Sequence, residues 1–255
     1  MGTNTKLAVF LFCLSWLFSL QAGLEDVAYY REHLPSIHKG QNSELKDALN
    51  KAINNQKVLS YKSARRYIFG ELFLKISAGK AQVIDTYCEE TFGSSVGVGT
   101  GRIPNHQKVN CEHTWPQSRF NSNQSKSAQK SDLHHLFPVK SQANSTRGNI
   151  EFADVQGERL PSCRASKRGS DINSGVSAFE PPKSHKGNVA RALFYFSVRY
   201  KTKITAREEV HLRNWHRLDP VDDEEAKRHE RIYEIQGNRN PFIDDPDLVD
   251  QIRDL

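Results

Sequence analysis

The sequence predicts an α+β fold, in which a strand–loop–strand–helix unit at about residues 109–150 is embedded in a mainly helical single domain spanning 24–255. Three observations carry that prediction. Apolar residues recur at helical spacing in several stretches, of which Leu45, Ala48, Leu49, Ala52 and Ile53 are the first. Val109 to Trp115 and Leu133 to Val139 read instead as short extended segments, the first stopped by Pro116. A chain of 255 residues with 37% hydrophobic content and no internal repeat is large enough to bury one core.

Taken in order, the chain opens with Lys6 ahead of an almost unbroken apolar run, Leu7 to Leu20, followed by the small residues Ala22 and Gly23. This is the pattern of a secretory signal, with residues 1–23 removed and a mature start near Gly23 or Leu24. The run is short for a membrane span, and no later segment is apolar enough for one, so no membrane association is expected after cleavage. Ser43 opens the first helix. A second is expected from Ser60 through Ile76, with Gly79 as its stop. Gln82 to Tyr87 reads as a strand, and the glycine-rich stretch Gly93 to Gly101 as a connection, since no Gly-Lys-Ser/Thr follows it. Ser141 to Arg147 is expected to be a short helix ended by Gly148. Ser162 to Gly187, rich in Ser, Lys, Arg and Gly, reads as a long surface loop. Three helices should follow: a mostly buried one over Gly187–Lys201, one capped by Thr205 with Glu208 closing a capping box, and one opened by Asp222–Glu225. Pro241 and Pro246 mark an extended tail.

Lys and Arg outnumber Asp and Glu by 36 to 30. A basic excess suits a polyanionic partner, because lysine and arginine release counterions from a phosphate backbone. Charge alone does not separate that case from an ordinary cationic surface. Without Cys13 the mature chain keeps Cys88, Cys111 and Cys163, which predicts one disulfide and one free thiol in an oxidising compartment. Cys111 with Cys163 is the favoured pair, with pairing through Cys88 open.

The chemistry concentrates in three places. Glu112 and His113 put a hard oxygen ligand beside a general base, yet neighbours in a regular strand face opposite ways. Both serve one site only if the strand bends or ends there, as nearby Pro116 suggests. Asn144 offers an amide oxygen to the same ion, and Arg147, three residues on, shares its helix face. There the guanidinium would approach either a phosphate or a supporting carboxylate. Asp132, His134 and His135 form the third group. The two histidines should point apart, so one is expected to orient His113 or the metal ligands. His211 and His216 are expected on the surface.

Cys111-Glu112-His113-Thr114-Trp115-Pro116-Gln117-Ser118, Asp132-Leu133-His134-His135-Leu136-Phe137-Pro138 and Asn144-Ser145-Thr146-Arg147-Gly148-Asn149 resemble the signatures of the bacterial endonuclease I family. Gln236 to Phe242 resembles its closing segment, so the similarity runs from about Tyr61 to Phe242. The resemblance implies a His-Me finger (ββα-metal) core and a secreted or periplasmic nuclease. It also implies His113 as general base, with Glu112 and Asn144 holding one divalent ion; Mg²⁺ is expected, with Ca²⁺ or Mn²⁺ as alternatives. Family members often carry Asn where His135 stands, and the three mature cysteines do not reproduce the richer disulfide set of some relatives. The expected activity is sequence-nonspecific hydrolysis of DNA, with RNA a second candidate substrate, by a monomer that leaves 5′-phosphate ends. Arg147 is expected to take part in catalysis, while Arg119, Lys126, Lys130, Arg164, Lys167 and Arg168 grip the backbone. Two other readings are a secreted nucleic-acid-binding protein without catalysis and a zinc hydrolase built on His113, His134 and His135.

Overall fold

The computed structural model describes residues 23–255, so the expected signal segment lies outside the described residues. Helices α1 (Leu34–Lys39), α2 (Ser43–Ile53) and α3 (Tyr61–Tyr67) lead into a π-helical turn at Ile68–Leu72. Strands β1 (Leu74–Ser77), β2 (Lys80–Ile84) and β3 (Thr91–Phe92) make a small antiparallel sheet. The central unit is β4 (Val109–His113), α4 (Lys126–Ser131), β5 (Leu136–Lys140) and α5 (Ser141–Arg147), with β4 and β5 antiparallel and Glu112 opposite Phe137. A second antiparallel sheet follows in β6 (Val155–Leu160), β7 (Cys163–Asp171) and β8 (Ser177–Glu180). Helices α6 (Lys186–Tyr200), α7 (Ala206–Leu218), α8 (Asp223–Gln236), α9 (Pro241–Asp244) and α10 (Leu248–Gln251) complete the α+β chain.

Helix α6 is the axis. It is apolar almost all round, and every residue from Gly187 to Tyr200 is buried, as expected of a helix packed on all sides. Phe196 stacks on Trp115, just beyond β4, at 5.1 Å between centroids, and on Phe120 at 5.7 Å. Of the two arginines that α6 buries, Arg191 holds the Glu225 carboxylate of α8 by two hydrogen bonds, and Arg199 donates to Gln56 Oε1 and the Asn54 carbonyl. Asp132 joins α6 and α8 to the central unit. Its Oδ2 accepts from Tyr195, Tyr200 and Gln56, and its Oδ1 from Gln236 and the His134 amide. Burial alone would raise this carboxyl; the adjacent imidazoles and the hydroxyl and amide donors outweigh burial and hold it below the usual range.

Several expectations change. The helix from Ser60 does not reach Ile76. Leu74 to Ser77 pairs with Lys80 to Val83 across a two-residue turn, with Ala78 and Gly79 both at positive φ. Gly79 therefore turns a hairpin and does not end a helix. The stretch read as a loop, 162–187, supplies β7 and β8. Its register is set partly by Gly157 opposite Gly169, where a Cβ on Gly157 would sit 2.4 Å from the Arg168 carbonyl oxygen. The disulfide is Cys88–Cys163, not Cys111–Cys163, and Cys111 is a buried free thiol. Cys111 lies inside β4 against Pro138 and packs with Leu133 and Leu136, while Cys163 opens β7 beside the Tyr87 carbonyl. With its ends 75 residues apart in sequence, this bridge removes about 4.5 kcal/mol of loop entropy from the unfolded chain in the chain-entropy account. Thr205 caps α7, but Glu208 turns away to bind Phe152 N–H and Arg119. The proline-marked tail is helical in α9 and α10.

His211 and His216 are buried, at 2% and 8% exposure, and do not lie on the surface. His211 sits between Asp154 (3.3 Å) and Asp171 (2.8 Å), which raise its pKa against the pull of burial. Its stabilising effect is therefore complete below the unfolded value near 6.5 and is lost as pH rises through the raised folded value. Thermal melts of His211→Gln should lie furthest below wild type in mildly acidic buffer, and the gap should close as pH rises. A gap that widens with pH would contradict the pairing.

Candidate active site

Strand β4 ends at His113, and the chain bends through Thr114 and Trp115 to Pro116. That ending lets adjacent Glu112 and His113 line one cleft of about 550 Å³, with Asn144 and Arg147 of α5 on its other wall and Asn110 and Gln117 beside them. Asn110 and Glu112 share a face of β4 by the two-residue strand period.

Glu112 is 3% exposed, and its Oε1 accepts from Tyr87 Oη (2.8 Å) and Arg147 Nη1 (3.0 Å). Both bonds fall on one oxygen, which leaves Oε2 for a cation. Burial pushes this carboxyl up, against the pull of Arg147 and Tyr87, so a further positive charge here is favourable. Asn144 Nδ2 donates to Asn110 Oδ1 at 2.8 Å. That bond sets the amide with its oxygen free. The free donors are then hard oxygens, one carboxylate and one amide, which suit Mg²⁺, Ca²⁺ or Mn²⁺ with water completing the shell. Cys111 also lines the cleft, where burial pushes its thiol up to about 12 and keeps it protonated.

His113 is fixed from both sides of its ring. Nε2 lies 3.0 Å from the Lys130 carbonyl, which requires the proton on Nε2 and leaves Nδ1 as the acceptor, 3.3 Å from Gln117 Nε2. Burial, with the His135 imidazole close by, pushes its pKa down to about 3 and keeps it neutral. His135 packs on His113 at 5.4 Å and donates from Nε2 to the Gln129 carbonyl, while His134 turns towards Tyr195 and His229. The two neighbours point apart. His113, His134 and His135 do not converge on a common ligand point. Among the described residues the one His/Cys/Asp/Glu cluster close enough to share an ion is His229, Glu230 and Asp244, and Arg239 already bridges its two carboxylates.

Arg147 is 1% exposed, and besides Glu112 it donates to the carbonyls of His113 (3.2 Å) and Thr114 (2.7 Å), with its guanidinium over Phe152. These contacts use the guanidinium to hold Glu112 and the end of β4, not to reach outward. Of the expected grip, Arg119 is paired with Glu208 and lies over Trp115, Lys167 is paired with Glu180, and Arg168 caps the Thr146 carbonyl of α5. Lys126, Lys130 and Arg164 have no carboxylate partner among the described residues. Sequence reasoning missed Asn110, Tyr87, Gln117 and the Lys130 carbonyl. The strand period could have found Asn110; nothing local marks Tyr87, 25 residues from Glu112.

A family model described as Endonuclease I matches residues 41–247. The chain belongs to the endonuclease I family. Within the family it is similar to an extracellular ribonuclease of Bacillus amyloliquefaciens, 33% identical over 243 residues, covering 88% of this chain and 77% of that protein. An extracellular ribonuclease of Bacillus subtilis is 38% identical over 162 residues, 56% of this chain and 53% of the relative. An extracellular deoxyribonuclease of Aeromonas hydrophila is 34% identical over 116 residues, 44% of this chain and 48% of its own length. The chain thus spans about half the length of two of these three relatives. With them, this endonuclease I family member is a secreted or periplasmic protein, and none of its described helices is long and apolar enough to cross a membrane.

Proposed function

We propose that this chain is a metal-dependent endonuclease that hydrolyses phosphodiester bonds of DNA and RNA without sequence preference and leaves 5′-phosphate ends. The supporting observation is the meeting, in one cleft, of a neutral His113 whose Nδ1 is an acceptor facing Gln117 and two free hard-oxygen donors, Glu112 Oε2 and Asn144 Oδ1. Relatives named both as ribonucleases and as deoxyribonucleases favour a site that does not depend on the sugar. In this reading the β4–β5–α5 unit is a His-Me finger, and residues 24–255 work as one monomeric domain after signal removal.

His113 Nδ1 takes the proton of a water aimed in line at phosphorus, while the Lys130 carbonyl holds the ring in the required tautomer. Gln117, 3.3 Å from Nδ1, stands where that water would be oriented. Glu112 and Asn144 would hold one divalent ion, Mg²⁺ above all, which when bound supplies charge neutralisation at the phosphate and the departing 3′-oxygen. Arg147 keeps Glu112 ionised and aimed, a positioning role in place of the catalytic one expected for it. Supercoiled DNA, linear DNA and RNA, each incubated with the protein and Mg²⁺, should all be cut, and EDTA should stop cleavage of all three. Cleavage that persists in EDTA would overturn the metal site; binding without cleavage under Mg²⁺, Ca²⁺ or Mn²⁺ would favour a nucleic-acid-binding protein.

A further inference from the structure

Tyr61, the first residue of α3, packs its ring on His113 with centroids 5.5 Å apart and planes inclined at 31°. Lys130 Nζ lies 4.7 Å from the centre of that ring, and Arg65, one helical turn on, lies 5.8 Å from it. Neither cation has a carboxylate partner among the described residues, in contrast to Arg119 and Lys167. Lys130 is also the residue whose carbonyl fixes the His113 tautomer. Beside the cleft residue His113 there is therefore a half-buried aromatic ring with two cations over it, built onto the residues that set the general base.

An aromatic ring with an ammonium and a guanidinium group over it supplies what the two parts of a nucleotide need, a surface for a flat base and positive charge for an anionic phosphate. We propose that Tyr61, Arg65 and Lys130 form a nucleotide subsite next to His113, in which the two flexible cations swing from over the ring to hold a phosphate and an unpaired base stacks on Tyr61 in their place. The proposal rests on the reading of His113 as general base. A base still paired within a duplex cannot leave its stack to lie on Tyr61 without losing its partner. The subsite therefore favours single-stranded DNA and RNA over duplex DNA, a preference that the catalytic residues alone do not set.

The test compares Tyr61→Leu, which keeps apolar bulk against His113 but removes the π-face, with Tyr61→Phe, which keeps it. On a single-stranded oligothymidylate with Mg²⁺, Tyr61→Leu should raise KM about tenfold with little change in kcat, and Tyr61→Phe should behave as wild type. Cleavage of duplex plasmid by Tyr61→Leu should change much less. Arg65→Ala and Lys130→Ala should each flatten the salt dependence of oligothymidylate binding in EDTA by about one released counterion. A fall in kcat equal on single and double strands, with KM unchanged, would make Tyr61 a packing support for His113 and overturn the proposal. Unaltered salt dependence in both cation variants would overturn it as well. His113→Ala, assayed alongside, separates the two readings: loss of activity there with wild-type KM in Tyr61→Leu removes the subsite alone, and retained activity removes the general base.

Discussion

His113→Ala should lower the rate of phosphodiester cleavage by about 10²–10⁴-fold, the usual contribution of a positioned general base. Oligonucleotide binding in EDTA should be nearly unchanged, because among the described residues His113 donates only to the Lys130 carbonyl and makes no ion pair. A Gln in its place could still bond Lys130 but could not accept a proton, so His113→Gln should be as inactive as His113→Ala. Added imidazole should restore part of the activity of the Ala variant, whose vacated volume lies beside Tyr61, Phe120 and His135. Plasmid degradation at the wild-type rate by either variant would end the assignment.

Arg147→Met should be the most damaging change to stability in the cleft. It leaves Glu112, 3% exposed, with no buried counter-charge, which costs about 3–5 kcal/mol for a broken buried pair. Burial would then push the Glu112 carboxyl up further, so cleavage should need more Mg²⁺ and a higher pH to reach its plateau. The double variant Arg147→Met with Glu112→Gln should recover much of the lost stability in urea denaturation, because both buried charges are gone, and none of the activity. A single variant as stable as wild type but with lowered kcat would mean that the guanidinium acts on substrate.

Much of the cleft was legible in the sequence because its chemistry lies in a short stretch of regular structure. Glu112 and His113 stand at a strand end that Pro116 announces, and Asn144 and Arg147 are three apart on a helix closed by Gly148 at positive φ. The buried α6 was legible for the same reason, since an apolar run in Gly187–Lys201 has few alternatives. Elsewhere, local pattern misled. Leu74 to Ser77 continues an apolar rhythm that suits a helix, yet the Ala78-Gly79 turn lets it pair with β2. Cys163 to Asp171 is too polar to suggest a strand, yet β6 and β8 satisfy its backbone on both sides.

By itself the sequence determined which groups are available and which of them share a face: the carboxylate, the imidazole, the amide, and the spacing that brings them together. The tertiary structure decided what each group is tied to. Tyr87 and Arg147 take one oxygen of Glu112, Asn110 orients Asn144, the Lys130 carbonyl sets the tautomer of His113, and Cys88 instead of Cys111 meets Cys163. The physical reason is that backbone periodicity is a local property, whereas a buried donor finds its acceptor only when separate elements pack. Arg147 became a support for Glu112 when α5 folded against the end of β4 and turned its guanidinium onto the Glu112 carboxylate and the Thr114 carbonyl.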